Sequence, residues 1–67
     1  MQIFAKKLKE LRKESGYSQQ KMAELLQIKQ QSYARYELDT SEPCYEMLVI
    51  IAKLFDVSAD YLLGLED

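Results

Sequence analysis

Histidine is absent from the 67-residue chain, and cysteine occurs once, at Cys44. A lone thiol cannot close an internal disulfide, and without imidazole neither the usual zinc sites nor a His-based catalytic triad can be assembled. Proline is limited to Pro43 and glycine to Gly16 and Gly64, while Leu, Lys, Gln, Glu and Met are plentiful, so the composition is that of an all-helical chain. No apolar run approaches the roughly 18 residues of a membrane span, and the N-terminus, with Lys6, Lys7 and Lys9, lacks the apolar stretch and cleavage site of a secretory signal. The expectation is a soluble, cytoplasmic protein with no metal, no cofactor and no membrane partner. Ser, Tyr, Lys and carboxylates are present, but no nucleophile, base and orienting group can be placed together, so an enzyme is not expected. The length allows one domain, residues 1–67, whose small core must be tightly packed to be stable at all.

The net charge of -2 argues at first sight against a polyanionic partner. Its distribution reverses that reading. Residues 1–35 hold eight basic groups against three acidic ones, whereas residues 36–67 hold Lys53 alone against eight acids. What matters is the face that the basic set occupies.

Phe4, Leu8 and Leu11 recur at i, i+4 and i+7, which predicts an amphipathic first helix ending at Gly16. Ser18 is placed to cap a second helix over 19–26, with Met22, Ala23 and Leu26 buried, although Lys21 stands where a capping box has Glu. A third helix is predicted over 30–38, burying Tyr33 and Tyr36 and leaving Gln30, Gln31, Ser32 and Arg35 on another side. A turn over 39–43 carries Pro43, a fourth helix spans 45–55, and Ser58 caps a short fifth helix over 59–63 that Gly64 can close.

Two short helices joined by a tight connection must cross steeply, so the residue at their closest approach has to be small and its flanks apolar. Ala23, flanked by Met22, Leu26 and Ile28, meets that demand. Ser18, Gln19 and Ala23, followed by Ser32-Tyr33-Ala34-Arg35-Tyr36-Glu37, resemble the S-Q-x-x-x-A and S/T-x-x-R-x-E pattern of the Cro and phage-repressor type of helix-turn-helix, the XRE family. Leu11-Arg12, Gly16-Tyr17, Pro43, Ile51-Ala52 and the closing Asp60-Tyr61-Leu62-Leu63-Gly64 extend the likeness over nearly the whole chain.

The resemblance implies a compact five-helix, lambda-repressor-like DNA-binding domain with its helix-turn-helix at about 18–37. It further implies a third helix in the major groove of duplex DNA and a second helix across the backbone. Base reading then falls to Gln30, Gln31, Ser32 and Arg35: the amides match adenine N6 and N7, and the guanidinium forks onto guanine O6 and N7. Phosphate contacts fall to Gln19, Lys21, Lys29 and Ser41. Arg12 and Glu37 occupy the family's structural ion pair. The implied activity is sequence-specific regulation of transcription, repressor-like.

Departures from the pattern are local. Lys29 replaces the usual Ser or Thr cap, Gln27 stands where Gly is common, and Asp39 and Glu42 bring negative charge to a loop expected near the DNA backbone. On the fourth helix Met47, Ile50 and Leu54 form an apolar stripe apart from Leu48, Ile51 and Phe55. With Tyr61 and Leu65 it is a candidate contact of a homodimer. The same stripe and the acidic second half also fit a different class of function, a protein-interaction module such as an antitoxin or a regulator-binding subunit, with a protein as partner.

Overall fold

The computed structural model describes residues 2–66, and among these it has five helices and no strand. They are α1 (Gln2–Glu14), α2 (Gln19–Leu26), α3 (Gln30–Glu37), α4 (Tyr45–Phe55) and α5 (Ala59–Leu62). The predicted helices all form; α3 and α5 each end one residue early, with Leu38 and Leu63 as their last near-helical residues. Among the described residues no helix is long and apolar enough to cross a membrane.

The helix starts follow side-chain chemistry. Ser18 Oγ accepts from the Lys21 amide at 3.0 Å, and Ser58 Oγ accepts from the Tyr61 amide at 2.9 Å. Lys29 and Cys44 hold the equivalent extended conformation before α3 and α4 but offer their helices no side-chain bond. A lysine has only donors, so it cannot satisfy an orphan amide.

Every helix closes with the same device. The amides of Tyr17, Ile28, Thr40, Val57 and Leu65 reach back to the carbonyls of Arg12, Ala23, Arg35, Ala52 and Asp60 at 2.8–3.2 Å. In each case the preceding residue is left-handed: Gly16, Gln27, Asp39, Asp56 and Gly64 have φ between 55° and 76°. This is the closure that glycine favours, since it has no Cβ to clash with the carbonyl. Asp tolerates it through its short polar side chain, whereas Gln27 has no such relief. At Gly64 proximity adds to φ, because a Cβ there would stand 2.7 Å from Ile3 Cγ2 of α1.

The core joins all five elements. Phe4 and Leu8 of α1, Met22, Ala23 and Leu26 of α2, Tyr33 of α3, Leu48, Ile51 and Ala52 of α4 and Leu62 of α5 are buried together. Pairwise, α2 lies on α3, α1 touches α3 and α5, and α4 packs on α2 and α5. Ala23 is 3% exposed, in keeping with the small residue that a tight α2–α3 connection requires.

Because the strain at Gln27 comes from backbone conformation alone, Gln27→Gly is expected to stabilise the fold by about 0.5–1 kcal/mol. Gly16, whose added Cβ would meet nothing within 4 Å, is the converse case. Gly16→Ala is expected to cost about 1 kcal/mol through φ only. Urea unfolding of the three proteins measures both; no change at Gln27 would refute the strain.

Candidate nucleic-acid interface

The third helix is eight residues long, two turns, with no side-chain cap at its start. Such a helix does not stand alone in water. Its far end is fastened by Glu37, whose carboxylate accepts from Arg12 Nε at 2.6 Å, Arg12 Nη2 at 3.2 Å, Gln19 Nε2 at 3.1 Å and the Tyr33 hydroxyl. Arg12 also donates Nη1 to the Tyr17 carbonyl at 2.9 Å. One carboxylate therefore ties α3 to α1 and α2, and the Arg12 and Glu37 side chains are only 12% and 3% exposed.

Burial by itself would push the Glu37 carboxyl upward, but the hydrogen bonds from Arg12, Tyr33 and Gln19 and the Arg12 charge outweigh it and hold the group below the usual carboxylate value. Burial first, and then the bond to Glu37 and its negative charge, hold the Tyr33 phenol far above its ordinary value. Tyr33 has no solvent exposure and meets the Tyr36 ring edge-on at 6.4 Å, so these two rings belong to the interior and its margin rather than to a stacking platform.

Gln30, Gln31 and Arg35 are exposed, and Ser32 is half-buried. The first three amides of α3 have no intrahelical acceptor, so the helix presents two amide side chains, a hydroxyl and uncapped N–H groups at one end and a guanidinium one turn further on. Lys21 and Lys29 are exposed, and Ser41 is half-buried in the loop before α4.

Gln19, expected at a phosphate, is half-buried with its amide turned to Glu37. The signal for part of this network lay in the sequence: Tyr33 and Glu37 are i and i+4 on one helix. Gln19 gave no such signal, because its approach to Glu37 depends on how α2 crosses α3.

The apolar stripe of the fourth helix is divided. Met47, Leu54 and Tyr61 pack in part against the core, and Lys7 lies 4.1 Å above the Tyr61 ring. Of the five expected contact residues only Ile50 and Leu65 are exposed, at 46% and 72%. The buried arc of α4 is wide, because the helix packs on both α2 and α5, and Met47 and Leu54 fall at its edge.

Arg12→Ala leaves a buried carboxylate uncompensated and is expected to remove about 3–5 kcal/mol, enough to unfold much of a domain this small. Glu37 has a lowered folded value, so its contribution is complete above the ordinary carboxylate value of 4.5 and is lost as pH falls through the folded one. Glu37→Gln is expected to be less stable at neutral pH and to lose less further stability in acid. Thermal unfolding of both chains between pH 7 and pH 3 checks this; parallel curves would contradict the assignment.

The chain matches the family model described as a helix-turn-helix domain over residues 5–67. Among curated proteins of Bacillus subtilis (strain 168) it is 40% identical over 65 residues to the uncharacterized HTH-type transcriptional regulator YobD, covering 97% of this chain and 58% of that one. It is 40% identical over 64 residues to the HTH-type transcriptional regulator ImmR, covering 96% and 50%. To the HTH-type transcriptional regulator AnsR it is 45% identical over 60 residues, covering 90% and 52%. The chain thus spans about half the length of the curated relatives it matches. No solved structure gives a significant match. With its five helices, the Arg12–Glu37 tie and a family match over nearly its whole length, the chain belongs to the XRE-type helix-turn-helix family.

Proposed function

We propose that this chain is the DNA-binding part of a cytoplasmic transcriptional regulator, repressor-like in action, that reads duplex DNA by laying α3 in the major groove. The observation that carries the reading is the division of α3. Tyr33 and Glu37 fix one side of the helix to the body of the protein, and Gln30, Gln31 and Arg35 project from another into solvent. A rigid helix with an outward row of planar amide and guanidinium groups suits base edges, where bidentate bonding separates adenine and guanine from the other bases. The names of the relatives, HTH-type transcriptional regulators, support the same reading.

Ser32 accompanies the base-reading set at the first turn of α3. Lys21 and Lys29 supply phosphate contacts, joined by the backbone amides at the start of α2 and by Ser41. Gln19 positions Glu37 in the free protein through its amide, and its share in phosphate binding passes to those amides. Asp39 and Glu42 are exposed near the same loop and oppose a polyanion, so the affinity for random duplex is set low and the base contacts carry a larger share of specific binding.

Selection of bound duplexes from a random pool tests the reading. Gln31→Ala and Arg35→Ala are each expected to relax the selected sequence at one or two positions, with a loss of about 1–3 kcal/mol in discrimination. Lys21→Ala and Lys29→Ala are expected to weaken all duplexes alike and to reduce the slope of affinity against salt by about one. Unchanged preference in both α3 variants would remove the assignment of the reading face.

A further inference from the structure

The outward side of α3 is not wholly polar. Gln31, Ala34, Arg35 and Leu38 stand at i, i+3, i+4 and i+7, so they share one stripe of the helix. Leu38 continues that stripe because it keeps a right-handed conformation, φ -85° and ψ -3°, and its amide bonds the Ala34 carbonyl at 3.0 Å. It is a leucine that packing does not use: 70% of it is exposed, and it takes no part in the core that Tyr33 and Tyr36 join. Ala34 is half-buried, and its neighbours on this side, Gln30, Gln31, Arg35 and Leu38, all carry much longer side chains. The stripe therefore has a notch with a methyl group as its floor. Helical side chains lean toward the preceding turn, which carries the isobutyl group of Leu38 toward the notch as an apolar wall.

We propose that this notch is a thymine-reading subsite, in which the C5-methyl of a thymine seats against Ala34 and Leu38 while Gln31 and Arg35 bond the edges of neighbouring purines. The inference rests on the DNA reading above and adds to it the base that the apolar part of α3 selects. Every base pair lines the major groove with donors and acceptors, and the thymine methyl is the apolar group that projects among them. Polar edges of the other bases would lose water in the notch and find no partner there. Gln31 and Arg35 on either side supply the hydrogen bonds that hold the helix against the groove, so the methyl floor is brought to the bases rather than left in solvent. Ala34 lies three residues beyond Gln31, roughly 4.5 Å along the helix axis, against about 3.4 Å for one base step. The thymine accordingly neighbours the base that Gln31 reads.

The duplex selected by the original chain, with each thymine replaced in turn by deoxyuridine, tests the subsite by fluorescence anisotropy. That exchange removes the C5-methyl and leaves base pairing and charge unchanged. The expected result is a loss of affinity of about three- to fivefold at one thymine, next to the position that Gln31→Ala relaxes, with the salt slope unaltered. Leu38→Ser and Ala34→Gly are each expected to bind the thymine and deoxyuridine duplexes alike at that position. Leu38 is exposed, so Leu38→Ser keeps the fold and decides the matter even where Ala34→Gly weakens the helix; circular dichroism checks both. Methyl sensitivity that persists in Leu38→Ser overturns the proposal, because it then belongs to another part of the protein. A duplex whose selection depends on Gln31 and Arg35 but on no thymine methyl defeats the subsite and leaves the DNA reading standing. A chain that selects no duplex defeats both.

Discussion

Glu37 accepts hydrogen bonds from residues of three helices, and this one carboxylate compensates for several weaknesses of α3 at once. The helix has two turns, no side-chain cap at Lys29, and a negative charge near its C-terminal end, where the helix dipole disfavours it. Arg12 from the first helix neutralises that charge. Gln19 brings in the second helix, and Tyr33 turns its hydroxyl to the same carboxylate from inside the core. Burying a carboxylate is costly, and the cost is offset only because the donors are so fully supplied. The orientation of the exposed edge of α3 therefore depends on a polar cluster rather than on apolar packing alone.

The cluster also changes how the charge of the chain is to be understood. Eight basic residues crowd the first 35 positions, yet Arg12 is spent on Glu37 and Lys7 lies over the Tyr61 ring. Both act within the fold. The exposed cations nearest the two helices of the motif are Lys21, Lys29 and Arg35, a small set beside Glu24, Asp39 and Glu42. Local placement, not the total, decides what such a surface attracts, since charges separated by more than a Debye length are largely screened in ordinary salt.

Much of the fold was legible because it is written in short-range signals. The i, i+4 and i+7 spacing of Phe4, Leu8 and Leu11, the hydroxyls of Ser18 and Ser58, and the glycines at 16 and 64 each act within one or two turns. The left-handed closures at Gln27, Asp39 and Asp56 are less visible, because those residue types do not advertise a positive φ. The ion pair of Arg12 and Glu37 came from family likeness, being 25 positions apart in the chain. Gln19 and the division of the α4 stripe were out of reach: both depend on how helices cross, which no periodicity encodes. Met47 and Leu54 share a stripe with Ile50 on a helical wheel, yet contact with two neighbouring helices widened the buried arc enough to take them in.

The split of α3 into an anchored side and a free one has an evolutionary corollary. Tyr33 and Glu37 make all their polar contacts with the protein body, and Gln30, Gln31 and Arg35 contribute no side-chain bond to it. Substitutions on separate, non-contacting surfaces tend to be energetically independent. The outward positions are thus free to drift at almost no expense in folding, so in descendants of one scaffold two or three residues of α3 can be exchanged while the hidden ones stay fixed.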